Sequence, residues 1–296
     1  MHTDGPTRTR RAWAALAWLA VSLAASVRPA AGADVHDDWG RAVSVTAQRP
    51  RVVSLAPHAT ELLFEAGAGA RVVAVDVNSD RPADAAGLAR VSAWPAFDAE
   101  ALLAQRPDLI VVWGAGLDAR QLARLAALAP VFVSDPRRLE DIATSLERLG
   151  TLTHSAAPAR DAAARARERL AVLRARHAGG TPVSVFYEVW SRPLITVSDQ
   201  GVIGDALRTC GAHNVFAEAT RAAPVVDVEA VLAAAPRLLV VSDDAPSVAG
   251  RWRALGLWRG TTERVATIDA SSLQRPTLRM FDAIEALCRA VETARD

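Results

Sequence analysis

The strongest constraint on the fold of this chain is a stretch that occurs twice. Asp98-Ala99-Glu100-Ala101-Leu102-Leu103-Ala104-Gln105-Arg106-Pro107-Asp108-Leu109-Ile110-Val111-Val112 aligns without a gap on Asp227-Val228-Glu229-Ala230-Val231-Leu232-Ala233-Ala234-Ala235-Pro236-Arg237-Leu238-Leu239-Val240-Val241. Each copy places a glutamate at the start of a helix that leads by a proline turn into an apolar run. A strand that is apolar at every position is covered on both faces, as in a parallel sheet. The two copies therefore predict two α/β lobes of similar construction.

The flanking residues extend the pattern. In the first lobe, residues 51–55 read as a strand, 56–59 as a turn, and Thr60 as the cap of a helix running to Gly67. Strands follow over 72–75, 109–113 and 131–133, with helices over 100–105 and 117–128. This lobe is expected over residues 50–150. The second, over 181–296, shows strands at 183–187 and 238–241 and helices near 204–210 and 229–234. Between them lies a connecting segment, 151–180. Its residues 158–177 lack internal glycine and proline and are dense in Ala, Arg, Glu and Leu, so they should form one long helix. The expected fold class is α/β, with two Rossmann-like lobes joined by a single long helix. Such a helix resists bending and should limit hinge motion.

Composition narrows the function. The 296 residues carry 34 basic and 33 acidic side chains, which argues against a nucleic-acid partner. Every basic residue is arginine, so a Schiff-base lysine, a Ser/Lys dyad and a phosphate-loop lysine are excluded. With 51% hydrophobic and 23% charged residues the chain can bury a core. No catalytic motif stands out: there is no Gly-x-Ser-x-Gly elbow or His-Glu-x-x-His, and Gly67-Ala68-Gly69 lacks the third glycine of a dinucleotide turn. An exported α/β hydrolase, the remote alternative, would have to use Ser54 or Ser272 as nucleophile. His154, His177 and His213 are dispersed and show no metal-ligand spacing.

The first 33 residues read as an address. Arg8, Arg10 and Arg11 precede an apolar stretch over 12–27, and Ala31-Gly32-Ala33 has the small-x-small form of a cleavage site. The stretch is shorter than the roughly 20 residues a membrane span needs, so a secretory signal peptide is expected in place of an anchor. No cysteine lies just after it, which excludes a lipid anchor. The expected compartment is the periplasm. There, Cys210 and Cys288 are either a disulfide or two buried thiols.

Several stretches carry a family resemblance: Arg51-Val52-Val53-Ser54-Leu55-Ala56-Pro57-His58-Ala59-Thr60-Glu61-Leu62-Leu63-Phe64, Val91-Ser92-Ala93-Trp94, Arg106-Pro107-Asp108-Leu109-Ile110-Val111-Val112-Trp113, and Cys210-Gly211-Ala212-His213-Asn214-Val215-Phe216. Over residues 50–292 the chain resembles the helical-backbone, class III periplasmic binding proteins of ABC importers, and among them the cobalamin-binding members. The resemblance implies a receptor that carries a corrinoid as cargo, with no resident cofactor or metal. Trp94 and Trp113 would wall the ligand from one lobe and Trp190 from the other, with Arg275 at its polar periphery and His58 at one face. Glu100 and Glu229 would dock the importer's membrane subunits, Cys210 and Cys288 would form the second-lobe disulfide, and the receptor would be a monomer. Three positions depart from the family: Asn78 stands in place of a cleft tyrosine, Ala223 of a tryptophan, and Ser271 of an acid. The alternative within the fold is a haem receptor using Tyr187 or His58, or a ferric-siderophore receptor.

Overall fold

The computed structural model describes residues 1–2, 35–93, 96–242 and 245–296. The expected leader past residue 2, and Trp94, lie outside the described residues. The described chain opens with a short antiparallel pair, β1 (Val35–His36) and β2 (Ala42–Val43). Asp37 between them is buried and accepts from the Arg41 guanidinium and from the Val133 amide, tying this segment to the first lobe.

The first lobe is a five-stranded parallel sheet in the order β5-β4-β3-β6-β7, made of β3 (Val52–Ser54), β4 (Val72–Asp76), β5 (Ala89–Val91), β6 (Leu109–Trp113) and β7 (Val131–Ser134). α1 (Pro57–Glu65), α2 (Ala99–Ala104) and α3 (Ala119–Ala126) connect them. One expectation is corrected here. Residues 57–59 are the first turn of α1, not a turn before it, because Pro57 occupies an initial helical position where its missing N–H costs nothing. Thr60 is consequently inside the helix and caps nothing; its hydroxyl donates to Ser54 Oγ at 2.8 Å.

α4 (Leu139–Leu152) and α5 (Ala156–His177) then run together as a pair. α5 buries Ala159, Ala162, Ala163, Ala166, Leu170 and Leu173, a spacing of three and four that marks one helical face. A Cβ at Gly150 would stand 2.2 Å from the Ala159 Cβ, so only glycine lets α4 turn this tightly into α5.

The second lobe is a four-stranded parallel sheet in the order β11 (Ala212–Asn214), β8 (Val183–Glu188), β12 (Leu238–Val241) and β13 (Val265–Thr267). A small hairpin, β9 (Trp190–Ser191) and β10 (Leu194–Ile195), leaves the end of β8. α6 (Val202–Thr209), β11 (Ala212–Asn214), α7 (Val228–Ala234), β12 (Leu238–Val241), α8 (Ala245–Leu255), β13 (Val265–Thr267), α9 (Ala270–Leu273) and α10 (Met280–Arg295) complete it. Cys210 and Cys288 form a disulfide that joins the end of α6 to α10.

The duplication seen in the sequence extends to the backbone. Arg106 and Ala235 occupy matching positions before a proline, and both adopt left-handed conformations, with φ of 46° and 45°. One apolar core is shared by both lobes: Leu62 and Leu63 of α1, Leu146 of α4, Leu170 of α5, Tyr187 of β8 and Phe281 of α10 belong to a single buried cluster. That continuity adds to the stiffness of α5 in holding the sheets at a fixed relation.

Candidate functional site

In open parallel sheets, ligands are bound beyond the carboxyl ends of the strands, where neighbouring connections run to opposite sides. In the first lobe that point lies between β3 and β6. A cavity of about 540 Å³ opens there, lined by Leu55, Pro57, Phe97, Val112, Trp113 and Leu117 among others, with Asp76, Asn78 and Gln121 as its polar edge. All described lining residues come from this lobe.

Trp113, the last residue of β6, is 48% exposed at the cavity. Beneath it lies His58, edge-on to the indole with ring centroids 5.8 Å apart and planes at 72°. His58 is buried, and its Nε2 is within hydrogen-bond distance of Ser134 Oγ at 3.0 Å. Burial lowers its pKa to about 4, leaving the imidazole neutral at physiological pH. The structure thus brings His58 and Trp113 together and gives the histidine a packing partner.

The loop after β4 is fixed from below. Asp76 accepts the Asn78 amide at 2.9 Å and the Ala93 amide at 3.2 Å, while Ser79 Oγ joins Thr60 Oγ1 at 2.9 Å. Ser54, fully buried, completes this hydroxyl cluster by donating to the Ala56 carbonyl. Ser272 donates to Asp269, which caps α9. Among the described residues, neither serine is hydrogen-bonded to a histidine.

In the second lobe, Tyr187 is fully buried, and its hydroxyl pairs with Ser242 Oγ at 2.7 Å and Gln274 Nε2 at 3.0 Å. Trp190, on β9, is 62% exposed. Ile195 stands opposite Trp190 in the hairpin and is bridged on its other side by Val225, so the three side chains form an apolar row on one face. Glu188 anchors this hairpin: its carboxylate accepts from Ser191 Oγ at 2.7 Å, from Trp252 Nε1 and from Arg251. Trp113 and Trp190 make no ring contact with each other. Ala223 is exposed, and Ser271, half-buried, donates to Asp269 at 2.8 Å.

The lobes meet in a charged clasp. Glu61 of α1 is buried and accepts from Arg279 Nε at 2.8 Å, Arg279 Nη2 at 3.2 Å, Arg275 Nη1 at 3.2 Å and Thr277 Oγ1 at 3.2 Å. Arg275 also donates to Asp80, whose carboxyl it holds below the usual range against the opposing effect of partial burial. Arg275 thus lies between the two lobes with two carboxylates already on it. Sequence reasoning missed Glu61. The available signal was a charged residue inside the apolar run of α1, since carboxylates are rarely buried without a partner.

Glu100 and Glu229 are both exposed in the first turns of α2 and α7. Asp98 caps α2 by accepting the Glu100 and Ala101 amides, each at 3.0 Å, whereas Asp227 makes no such bond.

The architecture is two α/β lobes with a cavity at the strand ends of the first, and comparison with known proteins assigns its family. Residues 52–285 match the family described as periplasmic binding protein, and the chain belongs to it. A vitamin B12-binding protein of Vibrio cholerae serotype O1 is 34% identical over 251 residues, covering 83% of this chain and 90% of the relative. The crystal structure of the periplasmic vitamin B12 binding protein BtuF of Vibrio cholerae superposes with a TM-score of 0.77 at 33% identity, covering 83% of this chain and 98% of that one. The periplasmic haem-binding protein BhuT, in complex with two haems, shares the fold at 24% identity, with a TM-score of 0.69 and coverage of 84% and 100%.

Proposed function

We propose that this chain is a periplasmic receptor that captures cobalamin or a related corrinoid and delivers it to an ABC importer. The observation that carries this reading is Trp113, a half-exposed ring seated on buried His58 over an apolar cavity. A large macrocycle with an apolar body and amide arms is well served by such a wall, because an aromatic ring buries much area with little loss of freedom. The apolar row headed by Trp190 supplies a second wall from the other lobe, and Arg275 a polar contact. The vitamin B12-binding relatives, similar over most of the chain, point to the same ligand.

Haem is the less favoured cargo. The Tyr187 hydroxyl and the His58 ring, the two groups that would coordinate its iron, are buried and hydrogen-bonded to neighbours. Residues 1–33 act as a cleaved export signal in this reading, the mature receptor is a monomer, and Glu100 with Glu229 seats it on the membrane subunits. Titration calorimetry of the leader-free protein with cyanocobalamin, cobinamide and haem tests the reading. One-to-one cobalamin binding is expected. Preference for cobinamide would place the effect of Ala223 and Ser271 at the nucleotide side, and heat from haem alone would overturn the assignment.

A further inference from the structure

Arg275 is one of the cations between the lobes, yet it does not offer a free positive charge. Its Nη1 is held by Glu61 and by Asp80, and Arg279 beside it is held by Glu61. Two guanidinium groups thus face two carboxylates. The Arg275 side chain keeps 20% of its surface exposed, and among the described residues its Nε and Nη2 make no hydrogen bond. The Asp80 side chain is 59% exposed, so it can still accept. Arg81, exposed beside Asp80, places a second positive charge next to that carboxylate.

An open N–H donor beside an open carboxylate matches one functional group well. A primary carboxamide accepts through its oxygen and donates through its nitrogen, and carries no charge. A carboxylate at the same place would meet Asp80 as a like charge and find Arg275 already neutralised. We propose that Asp80, by sharing the Arg275 guanidinium with Glu61, makes this contact selective for a neutral carboxamide arm of the ligand over a carboxylate. This rests on the corrinoid reading for its ligand, and it names Asp80 as a specificity-determining residue.

The probes are cyanocobalamin and its separated monocarboxylic acids, each with one peripheral amide hydrolysed. The wild type should bind at least one of these isomers about tenfold or more weakly than cyanocobalamin, because like charges placed side by side in an interface are costly. Asp80→Asn keeps an acceptor, removes the charge, and should recover that isomer selectively. A general loss of structure would weaken all isomers alike. Equal binding of every isomer by the wild type, or an unchanged gap in Asp80→Asn, would overturn the proposal. If cyanocobalamin does not bind, the corrinoid reading fails by itself. The pair is then tested with haem against its dipropionamide, where the wild type should favour the neutral diamide and Asp80→Asn should lose that preference; equal binding by the wild type would overturn it here also.

Discussion

Glu61 and Arg279, more than two hundred residues apart in sequence, are joined by two hydrogen bonds, Nε to Oε2 at 2.8 Å and Nη2 to Oε1 at 3.2 Å. With Arg275 and Thr277 on the same carboxylate, this pair fastens α1 of the first lobe to the start of α10 in the second. Removing the charge leaves two guanidinium groups short of a partner and Thr277 buried beside an amide. Glu61→Gln should cost about 1.5 to 3 kcal/mol, the range for hydrogen bonds to charged groups. Urea unfolding followed by far-ultraviolet circular dichroism measures it, and an unchanged midpoint would contradict the role given to the clasp.

One turn further along α1, Glu65 accepts the Leu278 amide at 3.1 and 3.2 Å. Burial, reinforced by the nearby Glu61, raises its pKa to about 8, with the Leu278 amide opposing the shift. The folded state therefore holds a proton that the unfolded chain releases near 4.5, and stability falls as pH rises between those values. His58 has the opposite slope, but only between about 4 and 6.5. From pH 6.5 to 8 the Glu65 contribution should cost about 1 to 2 kcal/mol, and Glu65→Gln should flatten that limb. Denaturant midpoints at pH 6.5, 7.2 and 8 would show it; parallel curves for the two proteins would not fit.

Cys210 and Cys288 are 78 residues apart and both buried. By the chain-entropy account a loop of that size stabilises by about 4 kcal/mol. The double variant Cys210→Ser, Cys288→Ser should lose about that much, and dithiothreitol should bring the wild type toward it while leaving the variant unaffected. A wild-type midpoint indifferent to reductant under unfolding conditions would count against a structural role.

The parallel sheets were readable because Val52-Val53, Leu109-Ile110-Val111-Val112 and Leu238-Leu239-Val240-Val241 are apolar at consecutive positions, and α5 because residues 158–177 lack internal glycine and proline and are dense in helix formers. α4 was not anticipated, since Arg138 is a poor capping residue and Gly150 reads as a break until its contact with Ala159 is known. The burial of His58 was equally hidden. Its partners, Trp113 and Ser134, come from two other strands, and only the sheet order β3-β6-β7 brings all three together. The clasp at Glu61 depends on a separation of 214 to 218 residues, which local pattern cannot encode.

Glu100 and Glu229 are the second residues of α2 and α7, exposed and without an ion-pair partner among the described residues. The equivalence is more than sequence likeness, because the left-handed residues Arg106 and Ala235 stand at matching positions just past the two helices. Two equal carboxylates, one on each lobe, suit a partner with twofold-related basic pockets, and the shared core keeps their separation constant. A single Glu100→Arg should weaken the complex with the membrane subunits, and Glu100→Arg with Glu229→Arg should weaken it about a hundredfold or more. Ligand affinity should change by less than about twofold, because both sites lie in water, where charge is screened within roughly 10 Å. Co-purification with the reconstituted importer, beside calorimetry with ligand, reads both quantities. A double reversal that still docks and still supports transport would remove these residues from the interface.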